Sequence, residues 1–311
     1  MASIVVALGG NALGNTPAEQ QERVAEAAKA LVGLIMQGNK IIVAHGNGPQ
    51  VGMINLGLSH AANNKVIKAE MPFPECGAMS QGYIGYHLQN AILRRMREEG
   101  VALNVATLVT QAEVESTDPA FQNPTKPIGS FYSEAEAKER MAVGDGVYKE
   151  DAGRGWRKVV PSPLPVGIVE KDSILALLRQ NFVVIACGGG GIPVVKNGDG
   201  DYKGVPAVID KDFASECLAE ITDADYLFIL TAVDRVCINY NKPDQKELYE
   251  MTVEEAEKYA AEGQFAPGSM LPKVRAAVRF ASSKPNRRAI ICSLDKAPWA
   301  MFGKSGTVIK R

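Results

Sequence analysis

Apolar residues along this chain fall into two kinds of run, and the two alternate nearly from end to end. Short continuous runs such as Ser3–Leu8, Ile41–Ala44 and Phe182–Cys187 have the length and β-branched content of strands buried on both faces. Between the first two, apolar positions recur at helical spacing. From Pro17 to Met36 the residues Val24, Ala27, Ala28, Leu31, Leu34 and Ile35 share one face, and Gly38 follows as a stop. Strand, helix and strand in about 40 residues make a βαβ unit, whose strands run parallel. The same reading predicts helices over Pro49–Leu58, Gly77–Glu99, Lys171–Arg179, Asp212–Ile221, Val253–Glu262 and Leu271–Ser282. Strands are predicted over Leu103–Val109, Tyr226–Leu230 and, as the last one, Arg288–Cys292. The fold class is therefore α/β: an open, mainly parallel twisted sheet with helices on both faces.

One stretch breaks the rhythm. Between about Glu115 and Val169 the chain is loaded with Pro, Gly and charge, as in Asn123-Pro124-Thr125-Lys126-Pro127-Ile128-Gly129 and Gly153-Arg154-Gly155-Trp156-Arg157-Lys158. A structureless loop of that length does not suit a compact domain. The expectation is a small inserted subdomain with short strands, such as Lys158–Val160, hanging as a lid over a crevice. A merely solvated excursion is the alternative.

The three apolar runs named first each end in glycine: Gly9-Gly10-Asn11, then His45-Gly46-Asn47-Gly48, then Gly188 to Gly191. Glycine at a strand's carboxyl end lets the backbone turn sharply and brings N–H groups against a ligand. A helix starting there adds a dipole that favours phosphate. One such turn can be purely structural. Three at the same end of buried strands point to a phosphate-handling crevice along one edge of the sheet.

Composition narrows the partners. Of 311 residues 34 are basic and 35 acidic, so no overall positive field holds nucleic acid or an anionic membrane. No apolar run approaches the roughly 20 residues of a membrane span. Cys76, Cys187, Cys217, Cys237 and Cys292 are scattered without a CxxC pair, and three histidines are too few to suggest zinc. No cationic segment precedes the first strand, so no secretory signal is expected, and the expected setting is a reducing cytoplasm.

Two familiar phosphate motifs are absent. GxxxxGK[ST] fails because Pro298 stands where Gly303-Lys304-Ser305 would need its first glycine. The dinucleotide fingerprint fails after Gly9-Gly10, whose third glycine would fall near Gly14 with the wrong middle spacing. Phosphoryl transfer still needs charge neutralised on the moving group, and lysines serve as point charges. Lys211 lies between an apolar run and a helix start, where Asp212 could also cap. Lys273 lies in the first turn of a helix, after Pro272. Lys126 lies in the insert between Pro124 and Pro127. Any one of them alone could be an ordinary surface charge.

The chain resembles the carbamate kinases of the amino-acid kinase superfamily. The resemblance is carried by Ala7–Leu13, His45–Gly52, Asn123–Gly129, Arg157–Pro163, Gly188–Pro193, Ile209–Asp212 and Gly268–Val274. It implies one domain over 1–311. An acceptor-side lobe of about 1–205 would carry the 115–169 lid, and a nucleotide-binding lobe would cover about 206–311. It further implies that Gly9, Gly10, Asn11, Gly46, Asn47 and Gly48 hold the acceptor and the phosphoryl in flight. Lys211 would stabilise the transferring group, Lys273 the donor's terminal phosphate and Lys126 the carbamate side, with Asp212 orienting the lysines. ATP or ADP would be held by Gly189, Gly190, Asp210, Thr231, Asp234, Val236, Tyr240, Gly268, Ser269 and Met270. Mg²⁺ would bridge the nucleotide phosphates with few direct protein ligands. The implied partners are carbamate, carbamoyl phosphate and an adenine nucleotide, in a homodimer. Another kinase of the superfamily, or a silent nucleotide-binding regulator, remains the alternative at this stage.

Overall fold

The alternation survives in the chain order of the elements. The computed structural model describes residues 2–9, 13–14, 16–151 and 153–311. In it β1 (Ser3–Leu8), α1 (Pro17–Met36) and β2 (Lys40–His45) are followed by two helices, α2 (Gly48–Asn63) and α3 (Phe73–Glu98). Short strands β3 (Val105–Thr107) and β4 (Gln111–Val114) come next. The Pro- and Gly-rich stretch holds β5 (Lys126–Tyr132), α4 (Glu134–Ala142), β6 (Val147–Glu150), β7 (Trp156–Val160) and β8 (Pro165–Ile168). Then α5 (Lys171–Arg179), β9 (Val183–Ile185), β10 (Ile192–Lys196) and β11 (Tyr202–Gly204) lead to α6 (Lys211–Ile221). The last third begins with β12 (Tyr226–Thr231), the hairpin of β13 (Val236–Ile238) and β14 (Lys246–Leu248), and β15 (Glu250–Thr252). It continues through α7 (Val253–Ala261), α8 (Met270–Ser283), β16 (Arg288–Ser293), α9 (Ala297–Ala300) and β17 (Thr307–Lys310).

Eight strands form the central sheet in the order β15-β17-β16-β12-β1-β2-β9-β3. Every neighbouring pair is parallel except β16–β17. Strands β1, β2 and β9 therefore lie side by side and end at the same edge, as their sequences predict.

The pleat sorts β1 onto two cores. Val5 and Ala7 join Ile42, Ala44 and the inward faces of α6 and α8. Ile4, Val6 and Leu8 join Ile41, Val43 and the apolar stripes of α1 and α3. Each fully buried aliphatic side chain contributes roughly 1.5–3 kcal/mol, so both layers resist displacement of the strand ends.

The inserted stretch splits in two. Strands β5, β7 and β6 form a separate three-stranded antiparallel sheet. Helix α4 is attached to it and opens with a capping box made by Ser133 and Glu136. Asp145 binds this unit internally, accepting from Lys158 at 2.9 Å, Arg140 at 3.1 Å and the Tyr148 hydroxyl at 2.7 Å. Strand β8 instead pairs with β4 in a second sheet of order β11-β10-β4-β8, so the end of the stretch rejoins the body. Arg288–Cys292 is not the last strand. Thr307–Lys310 follows as β17, antiparallel to β16, and four residues are too few for alternation to reveal it.

Glu216 sits on the buried face of α6, where Arg279 of α8 donates to it from Nε at 3.1 Å. Burial pushes its carboxyl from the ordinary 4.5 up to about 7, with Arg279 pulling the other way. A raised acid favours folding in its protonated form. That contribution is complete below the unfolded value and is lost as pH rises through the folded one. Glu216→Gln should therefore flatten the fall in melting temperature between about pH 5 and about pH 8. Parallel slopes for variant and parent would refute this.

Candidate active site

Parallel strands that end together leave a crevice at their carboxyl edge. Here it is a cleft of about 680 Å³. Its floor is Gly9 after β1, Gly46, Asn47 and Gly48 after β2, Gly189 after β9 and Thr231 at the end of β12. Its roof is Lys126–Gly129 and Arg157 of the insert. One wall is the start of α6, Asp210 to Asp212, and another the start of α8, with Gly268, Ser269, Pro272 and Lys273.

Local chemistry explains why these ends are open to an anion. Asn47 precedes α2 but makes no side-chain cap on it, and its amide donates to Ser80 Oγ at 2.8 Å. Ser269 likewise makes no side-chain cap on α8. Two helices thus present N-terminal dipoles to the cleft without a side chain neutralising them. Gly189 has φ +67°, and a Cβ there would stand 2.1 Å from the Asn47 amide. His45, behind the floor, is scaffold: burial drops it to about 4, so it is neutral and donates from Nδ1 to the Gly46 carbonyl at 2.8 Å.

The charged centre is built by α6 and α8. Asp210, in extended conformation, caps α6 by accepting the Asp212 N–H at 2.9 Å. This corrects the sequence expectation of Asp212 as the cap: the helix already includes Lys211, so Asp212 lies inside the first turn. There its carboxylate faces two ammonium groups, Lys211 and, at 2.8 Å, Lys273. Burial raises the Asp212 carboxyl, but the two lysines overcome it and hold the group at about 2. Burial also pulls Lys211 below the ordinary lysine range, with Lys273 adding to the fall and Asp212 opposing it. From the roof Lys126 reaches Asp210 Oδ2 at 2.6 Å. Three lysines and two aspartates leave one net positive charge facing the cleft.

Most predicted site residues meet here, and some do not. Gly9, Gly46, Asn47, Gly48, Lys126, Gly189, Asp210, Lys211, Asp212, Thr231, Gly268, Ser269 and Lys273 line the cleft. Gly10 and Asn11 lie outside the described residues. Gly190 is buried with φ +96°, and its Cβ would fall 2.3 Å from the Ile209 carbonyl, so packing alone demands glycine. Asp234 pairs with Lys296. The Val236 N–H, inside the core, donates to Thr307 Oγ1 at 2.8 Å. Tyr240 is exposed, and Met270 packs against the core. None of these five lines the cleft.

Sequence reasoning passed over Arg157, Gly129 and Ser293-Leu294-Asp295, which also line it. The last three continue from the end of β16, a strand the sequence predicts. Its carboxyl end carries no glycine, so it gave no signal, although the rule about strand ends applies to it equally.

The matching family model is the amino acid kinase family, over residues 2–293, and the chain belongs to that family. Within it the chain is 55% identical to a carbamate kinase of Staphylococcus haemolyticus over 311 residues, all of both chains. It is 55% identical to carbamate kinase 1 of Enterococcus faecium, over 99% of each chain. A solved structure, the carbamate kinase from Giardia lamblia bound to AMP-PNP, is 45% identical with a TM-score of 0.91. That match covers 99% of this chain and 98% of the other.

Asp212 supports two buried cations, so losing its charge exposes both. Removing one partner of a buried ion pair costs about 3–5 kcal/mol. Asp212→Asn should lower the urea midpoint accordingly, and sulfate should restore more stability to the variant than to the parent by standing between the lysines. An unchanged midpoint would contradict the assigned role.

Proposed function

We propose that the protein is a carbamate kinase, moving a phosphoryl group reversibly between ATP and carbamate to give ADP and carbamoyl phosphate. The observation that carries this reading is the convergence of Lys126, Lys211 and Lys273 on one cleft floored by glycine turns. Phosphoryl transfer asks little covalent chemistry of a protein. It asks that charge on the equatorial oxygens be met and that donor and acceptor be held in line.

Roles follow from position. Backbone N–H groups at Gly9 and Gly48 hold the acceptor and the phosphoryl in flight, while Gly46 lines the turn with its own N–H donated to the Leu8 carbonyl at 3.0 Å. Lys211, at the start of α6, meets charge that develops on the moving group. Lys273 meets the donor's terminal phosphate, and Lys126 comes from the roof to the carbamate side. Asp212 keeps Lys211 and Lys273 apart and aimed. The nucleotide lies toward Thr231, Gly268 and Ser269, which line the cleft beside the start of α8. That the ligand is an adenine nucleotide is supported by AMP-PNP in the Giardia lamblia relative.

Among the described residues no group of three or more His, Cys, Asp or Glu could hold a metal ion. Both aspartates nearest the lysines are already engaged by them. Mg²⁺ accordingly enters as part of the nucleotide substrate, keeping several of its waters. Pairing of two copies is supported by apolar side chains exposed on α2 and α3, among them Met53, Leu56 and Tyr86. Five unpaired cysteines suit a reducing cytoplasm.

A coupled assay decides the reaction: ADP with carbamoyl phosphate must yield ATP. In that assay Lys211→Ala should lower kcat by roughly two to three orders of magnitude, the scale of losing a preorganised donor to a transition state. ADP affinity should change little. Near-normal turnover would remove Lys211 from the mechanism.

The lid is tested with boundaries drawn from the strands. Replacing residues 126–160 by a short glycine linker keeps β4 and β8 paired while removing the three-stranded sheet. ADP binding, measured by calorimetry, should persist and ATP formation should vanish. Loss of ADP binding as well would make the segment part of the nucleotide site.

A further inference from the structure

Asp210 divides its two carboxylate oxygens between two parts of the molecule. Oδ1 accepts the Asp212 N–H at 2.9 Å and caps α6. Oδ2 accepts from Lys126 Nζ at 2.6 Å, across 84 positions of sequence. With 14% of its side chain exposed, Asp210 has both oxygens engaged within the protein. We infer that Asp210 is a positioning residue, which fixes the lid lysine Lys126 over the helix start that carries Lys211 and Asp212. This rests on the phosphotransferase reading above and replaces the expectation that Asp210 binds nucleotide.

The surroundings suit that role. Lys126 precedes Pro127, which restricts its backbone to extended conformations. It is paired in register with Val160 of β7, so its Cα is held by the lid sheet. Farther along the same strand, Gly129 meets Gly52 of α2, where an added Cβ would stand 3.8 Å from the Gly129 Cα. The lid therefore touches the body on both sides of the cleft, and among the described residues only the Lys126 contact is ionic. An ammonium group has three donors. Asp210 takes one and leaves two for oxygens of a bound anion.

Charge and position predict different outcomes for kcat, not for anion affinity. If Asp210 merely added negative charge, removing it would leave the cleft more positive and carbamoyl phosphate would bind tighter with kcat preserved. If it aims Lys126, kcat falls while affinity for the anion is kept or improved. Asp210→Asn retains a capping oxygen and deletes the ion pair, and Asp210→Ser does the same with a shorter group.

Both variants should keep the parent's melting temperature within a few degrees and lose about 10- to 100-fold in kcat, with KM for ADP within about twofold. Lys126→Met should lose at least as much. Adding Asp210→Asn to it should cost nothing further, because the two act through one contact. Hydrogen exchange over residues 126–132 should quicken in Asp210→Asn, a readout that needs no turnover. Parental kcat in Asp210→Asn, or an additional loss on the Lys126→Met background, would overturn the inference. Should the parent itself make no ATP, the proposed reaction fails. The exchange measurement then decides alone: quicker exchange upholds the positioning role and unchanged exchange overturns it.

Discussion

A carboxylate that is almost wholly out of water, Asp212, holds two ammonium groups from different helices, and the cleft is organised around it. Lys211 belongs to the first turn of α6 and Lys273 to the first turn of α8. Neither helix alone could set their separation. Burying one lysine without a counter-charge is strongly unfavourable, and burying two side by side is worse. Asp212 makes the arrangement possible because its own desolvation is outweighed by both cations together. The pair remains net positive, which is the state an incoming phosphoryl group requires.

That contact depends in turn on the sheet. The β1 side chains that face α6 and α8 are small or β-branched, Val5 and Ala7, so the helices approach closely enough for the two lysines to share one carboxylate. The parallel direction brings the strand ends to the same edge, and the tight turn after β9 seals the floor. At Gly190 the Ile209 carbonyl occupies the place a Cβ would take, which sets Ile209, and hence Asp210, against the third turn. A glycine outside the cleft thus fixes the approach to α6.

Elements with a strong, sustained period were legible in the sequence, and short edge elements were not. Pro17–Met36 and Lys171–Arg179 match their helices at both ends, the first because an apolar stripe and the Gly38 stop coincide there. The sheet of β11, β10, β4 and β8 went unread: its strands have three to five residues, and the partners of β4 are distant in sequence. The insert announced itself by composition, yet composition could not show that Pro165–Ile168 returns to the body. In the site, lysines at helix starts were visible as a class. Choosing between Asp210 and Asp212 as the cap was not, since the run Asp-Lys-Asp offers both. The backbone decides by leaving Asp210 extended and turning Lys211 into the helix.

The use of lysine rather than arginine at all three positions follows from the same sharing. Each ammonium is engaged by an aspartate and must still face a ligand. A guanidinium pairs with a carboxylate through a planar fork, which commits two donors in one direction and fixes the remaining ones in that plane. An ammonium is compact, and its three donors can rotate to meet an aspartate on one side and phosphoryl oxygens on the other. In the proposed roles Lys273 would keep Asp212 while turning toward a donor phosphate, and Lys126 would keep Asp210 while the insert rests on α2. A cleft whose cations are already ordered by neighbouring carboxylates has little reorganisation left when charge moves from donor to acceptor, and preorganisation of that kind is what lowers the barrier to transfer.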